Sequence, residues 1–281
     1  MSVIAFQGVA GAYSDLACRQ ARPGWETLPC TSFPDVIQAV QEGRADLGML
    51  ACENSLAGRV PEVHALLPEA GLSIIGEHFQ RVEHCLIAPP GVKEGEIRRI
   101  HTHPVAIGQV RKLITALNVQ AIPTFDTAGA VKLVAEWQSR EDAAIASELA
   151  AQLYGLTVLR KNVEDAAHNT TRFYLVARQG GWPPVEKCAD TMTTVLFRVE
   201  NSPGALYGAL RGFAEAGINL TRLESYMEVD SFNATGFLVD FEGHPEEARS
   251  QAALDNMKAY ADQQMVLGVY GKSPARQDSE C

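Results

Sequence analysis

Val3-Ile4-Ala5-Phe6-Gln7-Gly8-Val9-Ala10-Gly11-Ala12-Tyr13-Ser14 opens the chain with a short apolar run, a glycine-containing loop and the entry to a helix. The run has strand length, and glycine lets the backbone approach a ligand just where a helix N-terminus attracts anions. By themselves Gly8 and Gly11 are equally explained as turn residues, and no Gly-Lys-Ser/Thr follows to make a nucleotide-phosphate loop. Short apolar runs keep alternating with helical patterns as far as Val176, which predicts an α/β fold with largely parallel strands. Strands are expected at 3–6, 26–30, 45–51, 72–76, 83–88, 99–102, 119–123, 143–147, 156–160 and 172–177. Ser32-Phe33-Pro34-Asp35 reads as a helix cap and Gly43 as that helix's end. A second helix is expected over Val105–Leu117, and a third after the cap Asp126-Thr127, with Val131, Leu133, Val134 and Trp137 as its apolar stripe.

Gln179-Gly180-Gly181-Trp182-Pro183-Pro184 breaks both periodicities and reads as a linker. Beyond it come strand 194–199, helix 204–216, strands 218–226 and 234–241, helix 245–261 and strand 265–270, the βαββαβ order of a ferredoxin-like unit. Pro245-Glu246-Glu247 is expected to form the first turn of the second helix, with acids at the positive end of its dipole. Residues 273–281 are polar and are expected to form a flexible tail.

With 281 residues, 46% hydrophobic and 21% charged, the chain is long enough for two units and ordinary for a globular protein. No basic leader precedes Val3 and no apolar stretch reaches membrane-spanning length, so no membrane partner and a cytoplasmic location are expected. Cysteines 18, 30, 52, 85, 188 and 281 are scattered without paired spacing, as reduced thiols would be. Of the net charge of −10, residues 190–271 carry −7, a surface unsuited to nucleic acid. His101-Thr102-His103 precedes Pro104 at a strand–helix junction with no cysteine or acid nearby in sequence, which favours a structural role over a metal site. His78 and His84 read as ordinary strand residues.

Two further segments carry chemistry. Cys52-Glu53-Asn54-Ser55-Leu56-Ala57-Gly58 follows a strand end, the place where open α/β sheets bind ligands. His168-Asn169-Thr170-Thr171-Arg172-Phe173-Tyr174 sets an amide, two hydroxyls and a guanidinium at a strand start, as fixed donors for a small, oxygen-rich anion. Each is also readable as a polar turn.

In combination, Gly8–Ser14, Glu53-Asn54-Ser55 and Thr171-Arg172-Phe173 resemble the prephenate dehydratase family, whose members carry Gly-x-x-Gly-Thr-Phe-Ser, Glu-Asn-Ser and Thr-Arg-Phe at these places. The likeness extends through Ser32-Phe33, His103-Pro104, Asp126–Ala130, Ala144–Ser147 and Tyr154-Gly155-Leu156. Ala12 stands where the family has Thr, and Val9-Ala10 replaces a common Pro-Glu. The resemblance implies a catalytic region, residues 1–179, of two α/β lobes like a periplasmic binding protein: 1–76 plus 165–179, and 77–164. A linker at 180–190 would join it to an ACT regulatory domain at 191–272, which Gly204-Ala205-Leu206-Tyr207 and Asn219–Ser225 resemble.

That family converts prephenate to phenylpyruvate, water and carbon dioxide in phenylalanine biosynthesis, without metal or cofactor. By the resemblance Thr171 is the catalytic residue, donating a hydrogen bond to the departing hydroxide, and Asn54, Ser55, Ser14, Asn169, Arg172 and Phe173 surround the substrate. Arg172 either binds a carboxylate or braces the cleft. L-phenylalanine is the implied effector, at Gly204, Ala205, Leu206, Asn219, Leu220, Glu224 and Ser225, although Tyr226-Met227 stands where relatives often have Arg-Pro. A homodimer or homotetramer is expected. Arogenate is the alternative substrate, and a non-catalytic small-molecule-binding protein is the alternative from another class; the Thr171-Arg172-Phe173 start argues against the latter.

Overall fold

A computed structural model describes residues 1–226 and 235–279, of which 187–189 and 277–279 enter through their backbone alone. Met227, Ala234, Cys281 and the side chain of Cys188, all read above, lie outside the described residues. The chain begins β1 (Val3–Gln7), α1 (Tyr13–Ala21), β2 (Glu26–Cys30), α2 (Phe33–Gln41), β3 (Leu47–Asn54), β4 (Gly58–Arg59), α3 (Pro61–Leu66), β5 (Ser73–Arg81) and β6 (Cys85–Ala88). It continues β7 (Arg99–Thr102), α4 (Pro104–Gln109), α5 (Arg111–Leu117), β8 (Gln120–Pro123), α6 (Thr127–Trp137), β9 (Asp142–Ala146), α7 (Glu148–Leu153), β10 (Thr157–Arg160) and β11 (Thr170–Ala177). The last part is β12 (Thr191–Val199), α8 (Ala205–Glu215), β13 (Leu220–Tyr226), β14 (Gly236–Glu242), α9 (Ala248–Lys258) and β15 (Ala261–Gly271).

Two compact units result: residues 1–63 with 78–173, and residues 64–77 with 174–281. The first unit is a bilobal α/β structure. One lobe holds the parallel strands β2, β1 and β3, with β11 beside β3; the other is a five-stranded sheet in the order β10-β6-β9-β7-β8. The second lobe's core gathers Leu86, Ile100, Leu113, Ala143 and Ile145, all buried. In the second unit β12 to β15 form the ferredoxin-like order β13-β14-β12-β15, with β5 next to β15. Val195, Phe197, Val239 and Phe241 on one face of that sheet bury against Phe213 of α8 and Met257 of α9. β15 meets β5 at Gly268, where a Cβ would run into the Ile74 carbonyl oxygen; only glycine admits that approach.

Three elements depart from the sequence reading. The helix expected over Val105–Leu117 is two, because both carboxylate oxygens of Asp165 accept hydrogen bonds from the Arg111 and Lys112 N–H groups and so cap a new helix start after Val110. Pro245–Glu247 do not form the first turn of α9. The Glu246 and Glu247 N–H groups bond back to His244, and that local turn delays the helix to Ala248. In the tail, Ser273–Arg276 is anchored within its unit: the Arg276 guanidinium pairs with Glu77 at 2.6 Å, and Glu77 also accepts from the Ser273 N–H. Among the described residues no helix is long and apolar enough to cross a membrane.

Candidate active site

The first loop ends at Gly11, whose φ of +88° suits glycine, and its carbonyl accepts a 2.6 Å bond from Ser147 Oγ at the start of α7. Tyr154 Oη donates to the Ala10 carbonyl at 3.2 Å. The loop from one lobe is thereby held against the other. Tyr13, the first residue of α1, reaches the same way: its hydroxyl lies 2.9 Å from the Glu83 carbonyl and 2.9 Å from His84 Nδ1. His84 Nε2 then meets Gln109 Oε1 of α4 at 2.9 Å. His84, itself buried, is thus the middle of a hydrogen-bonded chain and lies in the β5–β6 connection, not in a strand. Burial pushes the Tyr13 hydroxyl up and the His84 imidazole down, so both favour their neutral forms.

Asn54 ends β3 and joins the other two segments. Its Oδ1 accepts from the Leu56 and Ala57 N–H groups, which fixes the side chain as an Asx turn. Its Nδ2 donates to Asn169 Oδ1 at 2.9 Å and to Thr171 Oγ1 at 3.0 Å. Ser55 completes the clamp: Oγ donates to the His168 carbonyl and accepts from the Thr170 N–H. Those two bonds tie Ser55 to the start of β11.

The Thr171 oxygen accepts from Asn54, so its own proton points elsewhere and is polarised for donation. Asn169 is 1% exposed, and its Nδ2 has no hydrogen-bond partner among the described residues. A buried amide donor left open beside an activated hydroxyl suits an incoming oxygen. Beside the Asn54 turn, a cavity of about 270 Å³ is lined by Leu56 and Ala57, by Val105, Gly108 and Gln109 of the other lobe, and by Asp165.

Arg172 points to the opposite face of β11. It is 4% exposed, lies 3.7 Å from Glu53 Oε2 and 5.9 Å from the centre of the Phe79 ring, a geometry that favours bracing over carboxylate binding. Phe173 is wholly buried as core. Ser14, half-buried, lies in the first turn of α1. The histidines at 101 and 103 serve structure: His101 Nε2 sits 2.7 Å from Asp142, and His103 Nδ1 accepts from the Val105 N–H at the start of α4. Sequence reasoning gave no place in the site to Tyr13, His84, Gln109 or Ser147, and the usable signal was a polar residue at the junction of two apolar runs.

In the second unit Gly204 caps α8 with φ +84°, and a cavity of about 340 Å³ there is lined by Glu200, Ser202, Gly204, Ala205, Tyr260 and Asp262. Leu220, Glu224 and Ser225 lie on β13, with Asn219 just before it.

Comparison with known proteins follows the same lines. The sequence model of the prephenate dehydratase family matches residues 4–181. A bifunctional N-acyl-homoserine lactone acylase/prephenate dehydratase from Komagataeibacter europaeus is 62% identical over 274 residues, covering 98% of this chain and 97% of that one. Arogenate dehydratase 2 of Petunia hybrida is 37% identical over 95% of this chain and 71% of its own length. The crystal structure of a prephenate dehydratase from Arthrobacter aurescens, in complex with L-Phe, superposes with a TM-score of 0.85 at 32% identity, over 96% of this chain and 90% of that one. The chain belongs to the prephenate dehydratase family of lyases.

Proposed function

We propose that the chain converts prephenate to phenylpyruvate, with Thr171 as the catalytic residue. The observation that carries this reading is the 3.0 Å bond from Asn54 Nδ2 to Thr171 Oγ1. In the reaction the bond from the ring to the carboxylate carbon breaks, its electron pair enters the ring, and the ring carbon opposite releases its hydroxyl. The departing oxygen gathers negative charge, and a fixed hydrogen-bond donor stabilises it. Thr171 supplies that donor, and the open amide of Asn169 supplies a second one to the substrate's oxygens. Aromatisation provides the driving force, so orientation and electrostatics suffice. Purified protein incubated separately with prephenate and arogenate, with phenylpyruvate and phenylalanine followed, tests the reading. Preferred turnover of arogenate would reassign the substrate.

L-phenylalanine is the effector in this reading, taken up at the α8 N-terminus and β13. The Gly204 cap, the adjoining cavity and the L-Phe complex of the Arthrobacter relative support it. The enzyme works in the cytoplasm as a homodimer or homotetramer, and the place of β13 at the end of its sheet suits edge-to-edge association. The name of the Komagataeibacter relative favours a second activity, hydrolysis of the amide of an N-acyl-homoserine lactone. Release of free fatty acid from such a lactone by the same preparation tests it.

A further inference from the structure

The face of the βαββαβ sheet turned away from α8 and α9 should be polar and wet if nothing covered it. Instead it carries a buried network with one residue from each strand: Thr194 of β12, Arg222 of β13, Asp240 of β14 and Tyr270 of β15. Thr194 Oγ1 donates to Asp240 Oδ1 at 2.7 Å, so Tyr270 Oη donates to Thr194 across 2.9 Å. Arg222 closes the network with both ends of its fork. Nη1 donates to Tyr174 Oη at 2.8 Å, and Nη2 donates to His64 Nε2 at 2.6 Å. Tyr174 in turn approaches both Asp240 oxygens at 3.4 Å.

These two anchors sit on informative segments. Tyr174 follows Thr171 by three residues within the single strand β11, and His64 lies on α3, the first helix after the Asn54 loop. One guanidinium therefore holds, through separate nitrogens, the strand that carries the catalytic threonine and the helix that next follows the Asn54 loop in the chain. Arg222 Nε also lies 3.8 Å from Glu224 Oε1, two residues along β13 and among the effector residues proposed above.

We propose that Arg222 is a positioning residue that links the βαββαβ module to the Asn54–Thr171 contact, and that an effector bound at β13 acts on turnover by changing its two-branched hold on Tyr174 and His64. The inference rests on the reading of L-phenylalanine as effector. A planar fork makes two directed bonds at once, which a flexible ammonium cannot reproduce. The coupling is a property of the link, separate from the affinity of the effector site.

The test uses the full chain, Tyr174→Phe and Arg222→Lys, with L-phenylalanine binding measured by calorimetry and prephenate turnover measured with and without saturating L-phenylalanine. Both variants should bind L-phenylalanine within about threefold of the unmodified affinity, while inhibition shrinks from about tenfold to under about twofold. Any change in basal rate should fall on kcat, with KM held. Full inhibition of both variants would overturn the proposal, as would loss of binding in parallel with inhibition, which would place Arg222 in the effector site itself. If unmodified protein neither binds L-phenylalanine nor slows in its presence, the effector reading fails first, and that result is distinct because it precedes any variant. Tyr174→Phe removes one hydroxyl from a packed ring and decides the matter if Arg222→Lys does not fold.

Discussion

Asn54 Nδ2 donates to Thr171 Oγ1 at 3.0 Å, although 117 positions separate the two residues. The direction of that bond is set by chemistry: an amide nitrogen has no acceptor, so the threonine oxygen must accept and its proton is left for another partner. Asn54 cannot swing away, because its own oxygen is held by two backbone N–H groups.

Thr171→Ala should therefore lower kcat by about 10²- to 10³-fold, the usual cost of a lost transition-state donor, and Thr171→Ser should retain part of the rate. Asn54→Asp is the sharper probe. A carboxylate accepts, so the Thr171 proton would turn towards it and away from the substrate, and kcat should fall as far as in the alanine variant. Steady-state kinetics on prephenate, with circular dichroism to confirm folding, decides. Near-normal turnover in Asn54→Asp would refute the hydrogen-bond direction.

Gly11→Ala should separate the lobes. An added Cβ would stand 2.7 Å from the Ala150 Cα, a backbone atom of α7 that has no room to yield. The φ of +88° adds strain. Overpacking of this kind costs about 1–3 kcal/mol. Because the contact joins the two lobes, KM for prephenate should rise along with the loss in urea midpoint; a change in midpoint alone would show that the loop does not shape the cleft.

Element order was legible in the sequence because each strand is a compact apolar run and each helix carries its own stripe. Asp126 and Ser32 cap their helices as their spacing suggests, by accepting from Gly129 and Asp35. What was not legible depends on partners distant in sequence. Asp165 splits the Val105–Leu117 helix from across the fold, and His84 acquires its partners from α1 and α4. Arg222, within the Asn219–Ser225 stretch, is 7% exposed and bound to His64, 158 positions away. For the candidate site, the residue types could be read directly, but their arrangement could not: only geometry separates Thr171, with an available proton, from Ser55, tied to β11 by two hydrogen bonds, and from Arg172, beside Glu53 and Phe79.

Asp142 should make the second lobe sensitive to acid. Arg99 binds it in a fork at 2.7 and 2.8 Å, His101 adds a third contact, and the guanidinium holds the carboxyl well below the usual carboxylate range. A carboxyl whose folded value is depressed contributes stability above the unfolded value of about 3.9 and loses it as pH falls through the folded one. Asp142→Asn should cost about 1–3 kcal/mol at pH 7, and the gap to the unmodified protein should close under strong acid. Urea titrations at pH 7 and pH 3 measure it; an equal gap at both would exclude the ion pair as its source.

His84 should act in the opposite part of the pH scale. Desolvation lowers its imidazole value, while its Nδ1 and Nε2 are engaged by Tyr13 and Gln109. In the unfolded chain the same group takes up a proton near pH 6.5. Between that point and its lower folded value the unfolded state binds more protons, so stability falls as pH falls, and it is fully present above pH of about 6.5. His78 and His103 are shifted the same way by burial and add to the slope. Replacing His84 by Gln keeps a polar group of similar reach and removes the titration. The variant should lose about 1 kcal/mol at pH 7.5, from poorer hydrogen bonding, and should show a shallower decline in urea midpoint between pH 7.5 and 5.5. A parallel decline in both proteins would mean that His84 takes up its proton alike in the folded and unfolded states, and burial of its imidazole would then not be a source of the slope.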